Sequence, residues 1–174
     1  MSGEPRPGTN DAGPSEEDLD RAAEVSIPLH DLLALDFVRP DQGSRTAEVT
    51  MPVAPNALGF TGSLHGGAIA TLVDLTCALA AARFSGFDPL KESLVTADMH
   101  VRYLGRPRTD EVVARAEVVK AGSQLIVVEC QVLGGTTDDG RDHVIAVADF
   151  SMMIVPLRTP ITPGTGNDQG DPEL

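Results

Sequence analysis

The sequence predicts an α+β fold in which an antiparallel sheet wraps around one long central helix. Residues 66–84 are apolar on nearly every side at helical spacing, whereas most of the remaining folded part alternates apolar and polar residues with period two. The alternating segments are joined by short connections rich in turn residues, which favours antiparallel neighbours. A helix apolar all round needs cover all round, and six antiparallel strands supply it most economically by curling about it.

The elements follow in order. Residues 28–35, PLHDLLAL, read as one or two helical turns entered through Pro28, with Leu29, Leu32 and Leu33 spaced to cover one end of the core. Alternation then takes over in DFVRP and in RTAEVTMPV at 45–53, and the intervening Asp41-Gln42-Gly43-Ser44 predicts a hairpin. Residues 54–65 hold Pro55, Gly59 and Gly62 and deliver the chain as a loop to a helix starting near Gly66. Gly86 is placed to cap that helix and Pro89 to stop it, giving a length of roughly 27 Å. Four more strands are expected at 94–104, 111–120, 124–134 and 143–155.

One layer of sheet leaves part of such a helix uncovered, so the sequence predicts a homodimer built on two-fold symmetry, or a homotetramer as a dimer of dimers. Residues 25–156 form the expected single domain; residues 1–24 and 157–174, rich in Gly, Pro, Asp and Glu, read as disordered tails. The 174-residue chain carries a formal net charge of −13, much of it in those tails. This balance argues against nucleic-acid or anionic-membrane partners, which require basic patches. Asp74 within an alanine- and glycine-rich helix argues against a membrane span, and no secretory signal is evident. Cys77 and Cys130, each inside an apolar element, read as buried thiols of a cytoplasmic protein.

The chemistry concentrates in SLHGGAIATLVD at 63–74. Gly66 and Gly67 open the helix, where backbone N–H groups lack intrahelical partners and the macrodipole is positive. Without side chains there, a carbonyl becoming an oxyanion can approach; a tight turn or close packing would also account for two glycines. Asp74 is more pointed, because an unpaired buried carboxylate costs several kcal/mol. Either an exposed strip or a hydrogen bond from Thr71 accommodates it, or it serves as general base or nucleophile. Eight helical rises, about 12 Å, separate Gly66 from Asp74, so one chain cannot bring both to one carbonyl. Two antiparallel helices across a two-fold axis can. His30, His100 and His143 are isolated and imply no metal; period-two alternation puts His100 on one face with Thr96, Asp98 and Arg102.

LHGGAIATLVD, followed by TADMHVRYL at 96–104, resembles the hotdog-fold acyl-CoA thioesterases of the phenylacetate-pathway and 4-hydroxybenzoyl-CoA thioesterase-like type, over about residues 30–155. The resemblance implies hydrolysis of a small-molecule acyl-CoA with no cofactor beyond the coenzyme A of the substrate. It maps the N–H of Gly66 onto the carbonyl-polarising group, with His65 beside it and Gly67 next to the substrate. Asp74 becomes the catalytic carboxylate and Thr96 the water-positioning hydroxyl. Asn56 is the candidate for an asparagine that the family places before His-Gly-Gly, although the GFTGS loop makes the spacing longer. Coenzyme A would meet Arg102, Arg106, Arg108, Lys120 and Ser123, whose segments the family uses for the nucleotide. A noncatalytic acyl-CoA binding module is the alternative reading; the Asp and His pair of the hydratase branch is missing.

Overall fold

The computed structural model describes residues 27–158. The tails read at 1–24 and 157–174 lie outside them, apart from Leu157 and Arg158. A short helix, α1 (Pro28–Leu32), leads into strand β1 (Thr46–Pro52) and a single 3₁₀ turn (Pro55–Ala57). The long helix α2 (Gly66–Ser85) follows, then β2 (Glu92–Tyr103), β3 (Glu111–Ala121), β4 (Leu125–Thr136) and β5 (Asp142–Pro156). The five strands form one antiparallel sheet in the order β1-β3-β4-β5-β2. The sheet curls around α2, the expected architecture.

Alternation decides which side chains meet the helix. Val49 and Met51 of β1, Val112 and Val118 of β3, Ile126 and Val128 of β4, and Phe150 of β5 are all buried on the inner face. They pack on Leu72, Val73, Cys77, Ala80 and Ala81 of α2. Gly86, at φ +63°, closes the helix in the left-handed conformation that glycine adopts without a Cβ penalty. By length and hydropathy α2 could cross a membrane, yet one of its faces forms the core of this sheet.

Two expectations need correction. DFVRP forms no strand: Asp36 makes a single antiparallel bridge with Thr50, its N–H donating at 3.0 Å and its carbonyl accepting at 2.7 Å. Beyond it Val38 projects into solvent and Pro40 has no N–H to offer a ladder, so the sheet has five strands rather than six. In α1, Leu29 and Leu32 are exposed and only the following Leu33 enters the core, because a five-residue helix presents too little surface to cap the sheet. Helix α2 is buried on one side only, the part-cover expected of a single layer of sheet. Ala70, Thr71, Asp74, Leu75, Ala78, Leu79 and Ala82 are half-exposed on the other.

Strand β2 contains the feature that alternation could not show. Its register with β5 runs from Thr96 opposite Met152 to Asp98 opposite Ser151, so Ala97 is an extra, bulged residue. Met152 is buried against the helix, and Thr96 shares its face. Past the bulge the inner face passes to Met99, Val101 and Tyr103, opposite the buried Phe150, Ala148 and Ala146. Thr96 therefore does not share a face with Asp98, His100 and Arg102, which point to the outer side.

Candidate functional site

The turn before α2 is folded back on itself. Leu58 bridges Leu64, the Gly59 N–H donates to Ser63 at 2.8 Å, and the His65 N–H donates to the Ala57 carbonyl at 2.8 Å. His65 is thereby fixed as the N-cap residue of α2, and its Nδ1 accepts the Gly67 N–H at 2.9 Å. The nitrogen that accepts must carry no proton, so the neutral ring has its hydrogen on Nε2. A Cβ at Gly67 would lie 2.9 Å from that Nδ1, so glycine is what lets the imidazole lie over the first turn. With Gly67 capped, the Gly66 N–H has no partner among the described residues. It is a backbone donor at the positive end of a 20-residue helix.

Two turns further on, Asp74 sits half-exposed on the open side of the helix. Its Oδ1 accepts a hydrogen bond from the Thr96 hydroxyl of β2 at 2.9 Å. Thr71 plays no part in this, because its hydroxyl turns back to the Gly67 carbonyl at 3.0 Å. The bulge at Ala97 aims the Thr96 hydroxyl at Asp74. Tyr103, on the same inner face at the far end of β2, donates from its hydroxyl to the Gly66 carbonyl at 3.1 Å. Sequence reasoning did not single out Tyr103; its signal is that it is the only tyrosine in the chain, seven residues beyond Thr96.

The structure thus brings together Asp74 with Thr96, and His65 with Gly66 and Gly67. Asn56 is engaged elsewhere: its Nδ2 donates to the Leu32 carbonyl at 3.2 Å and ties the end of α1 to the loop. Arg102 pairs with Asp149 at 2.9 Å on the outer face, and Arg108 lies 3.5 Å from Asp138. Arg106 is exposed and its carbonyl lies 2.9 Å from His143 Nε2. Lys120 and Ser123 are exposed around the β3–β4 turn. A hollow of about 540 Å³ spans the outer face between Glu48, Arg115, Glu129, Asp149 and Arg102, on the side of the sheet away from Asp74.

Cys77 and Cys130 face each other across the helix–sheet boundary as free, buried thiols. The hydrogen bond with Cys130 holds the Cys77 thiol well above the ordinary thiol range, with burial, the charge of Cys130 and that of Asp74 acting in the same direction. It is a core group and not a nucleophile. Among the described residues no three His, Cys, Asp or Glu side chains converge as a metal-binding set.

A curled antiparallel sheet around one long helix, with a carboxylate and an N-terminal glycine pair on that helix, places the protein in the hotdog class. Residues 61–140 match the family model described as the thioesterase superfamily. A thioesterase family protein from Silicibacter pomeroyi superposes with a TM-score of 0.66 at 26% identity, over 79% of this chain and 96% of that one. A mutant thioesterase from Pseudomonas aeruginosa gives 0.65 at 26% identity, over 83% and 96%. A Halobacterium salinarum protein provisionally designated an esterase is 35% identical over 94 residues, which is 53% of this chain and 61% of that relative's length. The chain has the hotdog fold, and over residues 61–140 it is similar to the thioesterase superfamily.

Proposed function

We propose that the protein is an acyl-CoA thioesterase that acts as a homodimer and needs no metal or redox cofactor. The observation that carries this reading is the pairing, on one helix, of a half-exposed Asp74 held by the Thr96 hydroxyl with a Gly66 N–H that has no partner among the described residues. The half-exposed side of α2, together with Met99 and Tyr103 of the neighbouring strand, offers the apolar face that a second copy covers. In such a dimer the Gly66 N–H of one protomer faces Asp74 of the other, resolving the separation of about 12 Å within one chain.

In the reaction, the thioester carbonyl points its oxygen at the Gly66 N–H. Water attacks the carbonyl carbon while Asp74 takes its proton, and the Thr96 hydroxyl holds the carboxylate in place. The tetrahedral oxyanion is stabilised by the N–H and the helix dipole, then collapses with cleavage of the C–S bond. The leaving coenzyme A thiolate takes the proton back, yielding acid and thiol. Direct attack by Asp74 through a mixed anhydride gives the same products. Arg106, Arg108, Lys120 and Ser123 supply the basic and polar groups for coenzyme A. Two free thiols suit a reducing compartment such as the cytoplasm.

The test is thiol release from a panel of acyl-CoA esters, combined with complementation between two inactive variants. Asp74→Asn removes the base. Gly66→Pro removes the N–H but keeps the helix, since proline is favoured at the first helical position and His65 already has ψ 133°. Each variant alone should lose two to four orders of magnitude in turnover, on the order expected for a general base or an oxyanion donor. Co-refolded in equal amounts, they should regain about a quarter of wild-type activity, because half the dimers then hold one intact site of two. No recovery places both groups in one chain and refutes the shared site. Tight binding of acyl-CoA without thiol release refutes the enzyme and leaves a binding module.

A further inference from the structure

We infer that Tyr103 is a positioning residue which, together with His65, clamps the Gly66–Gly67 peptide and so fixes the direction in which the Gly66 N–H points. This rests on the reading of Gly66 as the oxyanion donor. Consecutive glycines let a substrate come close, but they also have the widest backbone freedom and sit where a helix frays. A donor that wanders loses the advantage of preorganisation.

The structure fixes the peptide planes on both sides of Gly66. The plane before it is held by the His65 carbonyl, which accepts the Ile69 N–H at 3.2 Å. The plane after it is gripped at both ends. Its N–H, that of Gly67, donates to His65 Nδ1 at 2.9 Å, and its carbonyl, that of Gly66, accepts from the Tyr103 hydroxyl at 3.1 Å. Because a peptide is planar, two such bonds leave the intervening Gly66 little torsional freedom. The Tyr103 ring adds a wall, lying 3.5 Å from where a Cβ on Gly66 would stand. The β2 bulge links this clamp to the rest of the site. By shifting the inner face from Thr96 to Met99, Val101 and Tyr103, it lets one strand serve Asp74 at one end and Gly66 at the other.

Tyr103→Phe removes the hydroxyl and keeps the ring, and because the proposed dimer covers this position its assembly is matched to wild type by sedimentation before either readout. Two readouts are taken on the full chain. Amide hydrogen exchange by NMR should show the Gly67 N–H exchanging about threefold to tenfold faster than in wild type, the factor expected for one neutral hydrogen bond. Thiol release should show kcat falling by about the same factor with KM unchanged, the mark of an interaction strengthened only in the transition state. Unchanged Gly67 protection overturns the clamp whatever the activity. Faster exchange with unchanged kcat, or a rise in KM alone, overturns its role in positioning the donor. Should the wild type release no thiol from any ester, the thioesterase reading fails separately and the exchange measurement still decides the clamp.

Discussion

Gly66 and Gly67 are neighbours with the same backbone conformation class, neither having positive φ, yet alanine should affect them differently. At Gly66 a Cβ meets only the Tyr103 ring, at 3.5–3.6 Å, which is ordinary van der Waals contact. Gly66→Ala should therefore stabilise the fold by about 0.4–1 kcal/mol, chiefly by restricting the unfolded chain. At Gly67 the Cβ would lie 2.9 Å from His65 Nδ1 and 3.1 Å from Cε1, so the imidazole has to swing away. The same backbone gain is then set against loss of the N-cap bond, which costs about 0.5–2 kcal/mol. The net effect falls between slightly stabilising and about 1.5 kcal/mol destabilising, and the Gly67 variant should melt about 1–8 °C below the Gly66 variant. Calorimetry on both, repeated in a His65→Ala background, isolates the cause: without the imidazole, Gly67→Ala should become stabilising by about as much as Gly66→Ala. Equal shifts for the two glycines with His65 present, or an unchanged Gly67→Ala shift without it, would refute the placement of the imidazole over Gly67.

Two further outcomes follow from the site and core. Thr96→Val should lower kcat about threefold to tenfold by releasing the Asp74 carboxylate, whereas Thr96→Ser, which keeps the hydroxyl, should retain most activity in the thiol-release assay. The Cys77 thiol is raised in the folded state, so above about pH 9 the unfolded chain gives up its proton first and stability should fall with rising pH; this contribution is fully present below that pH. Urea melts at pH 8 and pH 10 on wild type and Cys77→Ala check this, the wild type being expected to lose more between the two.

Where local pattern and final environment agree, the sequence was readable. The helix ends where Gly86 and Pro89 say it should, and all five strands lie within two residues of their alternating segments. The Asp74 question was also legible, since a lone carboxylate in an alanine-rich helix announces either a partner or a task. The family resemblance singled out Thr96 as a water-positioning hydroxyl, and its bond to Asp74 is visible only in the structure. Alternation alone put that hydroxyl on the wrong side, because 95–103 reads as one unbroken pattern with Val95, Ala97, Met99, Val101 and Tyr103 in phase. A bulge adds a residue without disturbing composition, so only the pairing with β5 reveals it. The missing hairpin strand has a plainer reason: DFVRP has the right alternation but ends in a proline and leaves Val38 in solvent. That one layer of sheet leaves α2 part-covered was legible, but not which face stays open, because uniform hydrophobicity does not say which cover comes from the same chain.

The extra residue in β2 also bears on how this protein can change. Thr96 shares a face with Met99, Val101 and Tyr103 because Ala97 stands out of step between them. Deleting Ala97 would leave a regular strand with Thr96 and Tyr103 still on that face, whereas a further insertion beside it would turn one of them outward and bring the charges of Asp98, His100 and Arg102 in. Loops at either end of the strand can lengthen or shorten with little consequence for the helix. The bulge is thus the one point of β2 where the count of residues can fall without turning Thr96 or Tyr103 to the outer face.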